Sequence, residues 1–531
     1  MSSELARIAG PLGAAGLAVL MLAPGRTYRL AGLAAWAVGV GVLAGYLAPA
    51  GHTALLGAAG LLGLALAAGG AALLVRWPWL LALAVLACVP ARIPVSVGST
   101  QANLLVPLYG VVAAAALALA WELLKGEERQ RELGPLALPL AAFVGWSGLT
   151  LAWGEDVRQG SIELLFFFLP FGLLAVSLSR LSWDRRWARV LYGELILMAL
   201  VFAVVGVEQW INRDIFWNPK LLVGNTYAPF FRVNSVFWDP SIYGRFLVVA
   251  ILASLVVALF SRSPRAVILA LVAIGATWVG LLFSFSQSSF LALIAGVIVA
   301  AAFAWRWRAL LLVALAAGVF LVVAVAAPNV RHAVTNHASG GLNRVTSGRS
   351  KLVSNGIKIA VHHPAVGVGI GGFRHAYAKQ VGLRGKEPNA AASHDTPITV
   401  AAETGLPGLL LLAWVLVAGF LFTFRRAGRD LAGMAALVFG LVLVSIGVHS
   451  LFYNAFFEDP TVWAALGLAA VVSRQPRAPR KQPSAGGGDE RPQAPQLDRQ
   501  VEAEREQGQR VDGSQSDGAR QRDVERLPER G

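Results

Sequence analysis

Fifteen apolar runs, set apart by short polar turns, decide what this chain can fold into. They fall at roughly 5–23, 30–48, 53–75, 78–91, 103–124, 135–153, 161–179, 188–209, 243–260, 266–283, 287–304, 309–327, 397–424, 431–451 and 460–473. A helix needs roughly 20 mainly apolar residues to cross a bilayer, and only structures that satisfy their own backbone can do so. The runs at 78–91 and 460–473 are short. The sequence therefore predicts an all-α polytopic membrane protein with about 12–15 transmembrane helices. Only 14% of residues are charged, below the quarter or so of ordinary soluble domains. The net charge of +15 would point to nucleic acid in a soluble protein. Here it reads as arginine at helix ends, and no nucleic-acid partner is expected. The single cysteine, Cys88, excludes an internal disulfide. The first apolar run lacks a small-residue cleavage site after a basic start and reads as a retained helix.

The short turns give orientation. Arg26 and Arg29; Arg180, Arg185, Arg186 and Arg189; Arg262 and Arg265; Arg306 and Arg308; and Arg425, Arg426 and Arg429 fall on alternate turns. The positive-inside bias makes those turns cytoplasmic. Turns at 49–52, 284–286 and 452–459 are almost free of Lys and Arg, which puts loops 210–242 and 328–396 on the exoplasmic side. The second is basic, but the bias weakens for loops longer than about 60 residues. Three regions follow: an N-terminal transmembrane scaffold over 1–209, a membrane region with both exoplasmic loops over 210–473, and a tail over 474–531. The tail is rich in Pro, Gln, Gly, Arg and Glu, and its composition predicts a disordered cytoplasmic segment.

The long polar interval from Asn329 to Gly405 carries six of the eight histidines and nine Lys and Arg. Until the next apolar run, only Glu387 and Asp395 oppose them. Such a surplus suits an anionic, phosphate-bearing substrate and makes a poor cage for a divalent cation, so neither metal nor cofactor is expected. His332 and His337 could share a helix face, but no third ligand accompanies them.

Three places in the loops hold polar residues with a chemical use. The first runs from Phe231 through Arg232 to Asp239-Pro240-Ser241, a helix entry flanked by Arg232 and Arg245. Arg245 reads equally as an arginine snorkelling to the interface. The second is Gly348-Arg349-Ser350, followed by Val353, Ile357 and Val361 at a spacing of four. That spacing predicts a short amphipathic helix with Arg349 at its start, where the helix dipole favours anions. His363-Pro364 ends it, and Gly367, Gly369, Gly371 and Gly372 turn the chain before Phe373. Without a preceding strand this is no dinucleotide fingerprint. The third is Ser393-His394-Asp395-Thr396-Pro397, running into an apolar helix with Glu403-Thr404-Gly405. A histidine there can accept a proton near neutral pH, with Asp395 and Glu403 as candidates to orient it, or it can simply cap the helix. Arg344 and His375 complete the set of candidate substrate-binding residues.

Arg232-x4-Phe237 with Asp239-Pro240, then Gly348-Arg349 with Pro364-Ala365-Val366-Gly367-Val368-Gly369 and Phe373, then His394 with Glu403-Thr404-Gly405-Leu406, occur in that order. Together they resemble the O-antigen ligase and polymerase superfamily of bacterial envelope glycosyltransferases. The turn from His449 to Asp459, leading into Trp463, fits the same pattern. The resemblance covers about 200–473, and the first 200 residues match only in hydropathy. It implies a GT-C-like fold with one large exoplasmic loop containing short helices. It also implies metal-independent transfer of a glycan from an undecaprenyl-pyrophosphate carrier to a hydroxyl on a glycan, lipid or protein, at the outer face of the inner membrane. On that resemblance Arg232 and Arg349 hold the pyrophosphate and His394 activates the acceptor. The family usually has Asn, Ser or Gln after the histidine, where this chain has Asp395.

Ligation to a lipopolysaccharide core, polysaccharide polymerisation and protein O-oligosaccharide transfer share this active-site logic. A transporter or flippase of the lipid-linked glycan is the alternative from another class. It would show Gly/Pro-broken helices in two related halves with midplane ionisable groups. Here the ionisable groups gather in the loops, which favours an enzyme.

Overall fold

The computed structural model describes residues 2–48, 53–97, 100–126, 132–216, 218–227, 230–305, 308, 349–382 and 393–476. The apolar run at 309–327, Arg344, His332, His337 and the tail beyond 476 lie outside the described residues. In order the helices are α1 (Ser3–Leu22), α2 (Arg26–Leu47), α3 (Thr53–Arg76), α4 (Leu80–Cys88), α5 (Val106–Leu124) and α6 (Ala137–Leu149). They continue as α7 (Val157–Glu163), α8 (Leu169–Ser179), α9 (Arg185–Asn212), α10 (Pro219–Tyr227), α11 (Pro240–Phe260), α12 (Pro264–Ser284) and α13 (Gln287–Trp305). After the undescribed stretch come α14 (Arg349–His362), α15 (Phe373–Gln380), α16 (Thr396–Arg426), α17 (Leu431–His449) and α18 (Pro460–Ser473).

Eleven described helical segments are long and apolar enough to cross a membrane, and the shorter apolar helices Gly60–Arg76 and Pro460–Ser473 accompany them. The fold is that of an all-α polytopic membrane protein. One addition was not foreseen: β1 (Ile93–Val97) pairs antiparallel with β2 (Thr100–Leu104), Ile93 opposite Leu104. The β-branched residues of Ile-Pro-Val-Ser-Val, followed in sequence by Gly-Ser, favour that hairpin.

Glycine and alanine let α1 and α2 touch backbone to backbone. A Cβ on Gly16 would sit 2.5 Å from the Trp36 amide nitrogen, and one on Gly39 would sit 2.6 Å from Gly13 Cα. Such contact supplies van der Waals packing where lipid removes the hydrophobic driving force. Elsewhere α11 and α18 are buried almost throughout, whereas α9 and α12 bury only one face. An aromatic cluster fixes the segment between α17 and α18. Phe143 stacks on Phe457 at 4.4 Å, Phe168 lies 5.5 Å from Phe457, and Trp463 Nε1 donates to Phe457 O at 2.9 Å.

Contacts between helix ends gather into two clusters, which form two poles. At one pole Arg29 makes a two-pronged pair with Glu132 (2.7 and 2.8 Å), and Arg180 bridges Glu132 and Glu122. Arg474 donates to Ser179 O, and Arg426 pairs with Asp430 at 2.7 Å while reaching Gln475 O. At the other pole lie the Arg232 segment, the hairpin, the α6–α7 turn, the glycine stretch, His394 and the α17–α18 segment. Arg92 donates to Glu458 O there, and Arg245 pairs with Asp459 at 2.8 Å.

Candidate active site

The second pole is built around a break in α16. Gly405 takes φ 70°, ψ −173°, and Pro407 follows it. Gly405 supplies the left-handed φ that other residues resist, and Pro407 cannot donate back to Glu403 O. The freed carbonyls need donors, because a bilayer offers no water for them. The glycine stretch provides two: Val368 N donates to Ala402 O at 3.0 Å and Gly369 N to Glu403 O at 2.8 Å. Trp146 Nε1 donates to Thr404 O at 2.8 Å, and Leu406 N donates to Pro364 O at 2.8 Å. Four backbone groups at the break are met in this way.

The opposite edge of this strap is held by the α6–α7 turn. Glu155 N donates to Val368 O (3.1 Å), Ile370 N to Thr150 Oγ1 (3.1 Å) and Trp153 Nε1 to Val366 O (3.3 Å). Gly369 has φ 86°, and a Cβ there would lie 2.2 Å from Gly154 Cα. Glu403 is buried, and its Oε1 accepts from Phe373 N at 3.2 Å. Its carboxyl therefore anchors the start of α15 and sets the strap's exit.

The strap delivers α14 to the mouth of α16. The apolar stripe of Val353, Ile357 and Val361 does not make this contact: Ile357 and Val361 are exposed, and Gly356 and Ile359 are buried instead. A Cβ on Gly356 would lie 2.6 Å from Ile398 Cγ2 and 3.3 Å from Ser393 Cβ. The helix thus docks through its smallest residue, directly on the turn that carries His394. Arg349 is the first residue of α14.

His394 holds a left-handed backbone, φ 64°, which is uncommon for a side-chain-bearing residue and persists only where the surroundings enforce it. Buried Ser393 supplies that enforcement: its Oγ donates to Asp395 O (2.8 Å) and accepts from Asp395 N (3.1 Å). Asp395 Oδ1 caps α16 by accepting from Ile398 N at 2.9 Å. Thr396 N donates to Ser450 O (3.0 Å) and Thr396 Oγ1 to Asn454 (2.9 Å), which ties the turn to the α17–α18 segment. Burial raises the Asp395 carboxyl above its ordinary range, and the Ile398 amide partly offsets this. Glu458 is likewise raised by burial, against the pull of Arg92 and Arg245.

Arg232 lies in a segment pinned to the α12–α13 turn. Its Nε donates to Ser284 O at 3.3 Å, and Val233 N donates to Phe283 O at 3.1 Å. Phe230 stacks on Phe285 at 4.4 Å. Asp239 Oδ1 caps α11 by accepting from Ser241 N (2.7 Å). From there the link to the His394 turn runs through the Arg245–Asp459 pair and the α17–α18 segment.

Among the sequence candidates, the structure brings α14, led by Arg349, against the Ser393-His394-Asp395 turn. It puts Arg232 at the same pole on a separate segment. Arg245 is 3% exposed, so it does not snorkel; its guanidinium is engaged with Asp459. Glu403 faces the strap and Asp395 caps a helix. His375 lies exposed on α15. Sequence reasoning missed Trp146, Thr150, Trp153 and Gly154, which sit in the region read as scaffold. The Trp and Gly flanking the polar turn at 154–156 were the signal available.

Residues 271–413 match the family model for O-antigen ligase (Wzy_C), a span that runs from within α12 to within α16. No curated protein matches the chain.

Proposed function

The chain belongs to the O-antigen ligase superfamily through residues 271–413, and from that premise we propose that it transfers a glycan from a polyprenyl-pyrophosphate carrier to an acceptor hydroxyl. The reaction takes place on the exoplasmic face, at the pole that holds His394. The observation that carries this reading is the His394 turn: a histidine held in a left-handed backbone at a helix mouth, with α14, the helix that Arg349 begins, docked on that turn through Gly356.

The chemistry follows. The acceptor oxygen attacks the anomeric carbon, the bond from that carbon to the pyrophosphate oxygen breaks, and His394 takes the hydroxyl proton. Negative charge then grows on the departing pyrophosphate. Arg349, at the positive end of the α14 dipole, and Arg232 meet it. Asp395 fixes the turn by capping α16, and Glu403 fixes the strap; both act on position. Arg245 completes the support beneath α11. This division of labour needs no metal, so chelator is expected to leave the reaction unchanged.

The test is reconstitution with a lipid-pyrophosphate glycan and candidate acceptors, reading product length and anchor. Transfer of one preassembled glycan to a core sugar identifies a ligase, and growth of the lipid-linked chain a polymerase. A glycosylated protein identifies an oligosaccharyltransferase. Movement of the donor across the bilayer without any transfer would discard the enzyme reading, and full activity in both His394→Ala and Arg349→Ala would discard the mechanism.

A further inference from the structure

An apolar opening lies away from the His394 turn, between α4, α9, α11, α17 and α18. It is a cleft of about 180 Å³ lined by Ala188, Leu191, Val257, Leu431, Ala435 and Val438 among others. Half-buried residues on its rim, Leu191, Val257 and Leu431, leave it open to the side. Along α17 it runs from Leu431 to Val442, about 17 Å at the helical rise. That matches the depth of an acyl chain lying against the bundle.

The two ends of the cleft differ in charge. Towards the His394 pole it adjoins a cavity of about 30 Å³ at Arg245 and Asp459, which neutralise one another. At the opposite end its lining includes Trp183 and Trp187, and three of the chain segments that line it carry exposed arginine a few residues away in sequence. Arg185 and Arg189 sit on the first turns of α9 beside Ala188, Arg262 follows Val257, and Arg429 precedes Leu431. Exposed Asp184 is the counter-charge at that end, and Asp430 is held by Arg426. Four exposed cations thus belong to the ends of helices that line an apolar slot, whose lining includes tryptophans of the kind that sit at headgroup level.

We propose that this cleft is a binding site for one anionic glycerophospholipid. An acyl chain occupies the slot, and the headgroup phosphate rests on Arg185, Arg189, Arg262 and Arg429. Basic pockets between transmembrane helices recognise anionic headgroups in this way. The charge distribution decides against the glycan carrier as occupant, since its pyrophosphate belongs at the other pole, where the cleft ends in a neutral pair. The lipid would fasten α9 and α17 together at the arginine-rich pole.

The test uses the full chain, delipidated in detergent, with phosphatidylglycerol and phosphatidylcholine of identical acyl chains as probes. Native mass spectrometry reads retention, and thermal unfolding reads the shift. One phosphatidylglycerol is expected to be retained and to raise the unfolding temperature, with phosphatidylcholine about tenfold weaker. The quadruple R185Q/R189Q/R262Q/R429Q variant is expected to bind both equally weakly, and Ala435→Phe, which fills the slot, to bind neither. Should Ala435→Phe fail to fold, Ala188→Leu narrows the same slot more gently and is expected to weaken both lipids. Equal binding of the two lipids by the unaltered protein overturns the proposal. So does undiminished preference in the quadruple variant, or displacement of phosphatidylglycerol by a polyprenyl phosphate. Glycan transfer is not among the readouts, so this result stands apart from the catalytic one.

Discussion

The two poles of the bundle solve the problem of buried polarity by different means. At the arginine-rich pole, side chain meets side chain: Arg29, Glu132, Arg180 and Glu122 form a closed network, and Arg426 pairs with Asp430. At the His394 pole, polar side chains mostly meet backbone. Glu403 takes the Phe373 amide, Asp395 that of Ile398 and Asp239 that of Ser241, while Thr150 takes that of Ile370. Ion pairs lock regular helices to one another. Side-chain-to-backbone bonds instead hold irregular chain in one shape. The lesson is that charge at one pole serves assembly, whereas polarity at the other serves shape.

The comparison can be broken or sharpened by substitution. The largest effect is expected from His394→Ala: on the proposed mechanism, transfer falls by about 10²–10⁴-fold with insertion and thermal stability unchanged, as activity assay and unfolding together would show. Glu132→Gln removes the shared acid of the arginine network and leaves buried cations short of a partner. It is expected to cost about 3–5 kcal/mol of stability, read by denaturation in detergent, while the protein that remains folded transfers glycan normally. A loss of specific activity there would blur the division between poles.

Gly369→Ala puts a Cβ against Gly154 Cα and onto a left-handed backbone. It is expected to cost about 3 kcal/mol locally, seen as loss of amide protection in the strap together with reduced transfer. The smallest effect concerns pH. Because burial raises the Asp395 carboxyl in the folded state, the native protein holds that proton more tightly than the unfolded chain does. Its contribution is therefore most favourable below the ordinary carboxyl value of 3.8 and is lost as pH rises through the folded value. Asp395→Asn keeps a competent cap and should flatten that decline in unfolding temperature. An unchanged slope would assign it to Glu458 instead.

The helical spans were legible because a bilayer imposes a length and a hydropathy that no turn can imitate. The His394 turn was legible for a related reason: Ser, His, Asp and Thr-Pro at the edge of an apolar run have few other uses. What escaped the sequence was recognition by backbone. The strap touches Gly154 and Thr150, far away in the chain, through amides and carbonyls that leave no mark in residue type. The docking of α14 misled for the same reason, since the contact is made by Gly356 and the valine stripe is left outside. Arg245 could not be settled from sequence because its partner, Asp459, lies at the start of a distant helix.

The break at Gly405 carries a consequence for how this architecture can diversify. Its joint is fastened largely at peptide groups, and exposed Ala365 and Val366 approach it with main-chain atoms. Those two side chains are thus free to drift without loosening the hinge beneath them. A lineage could change those two side chains while the backbone of the break stays put.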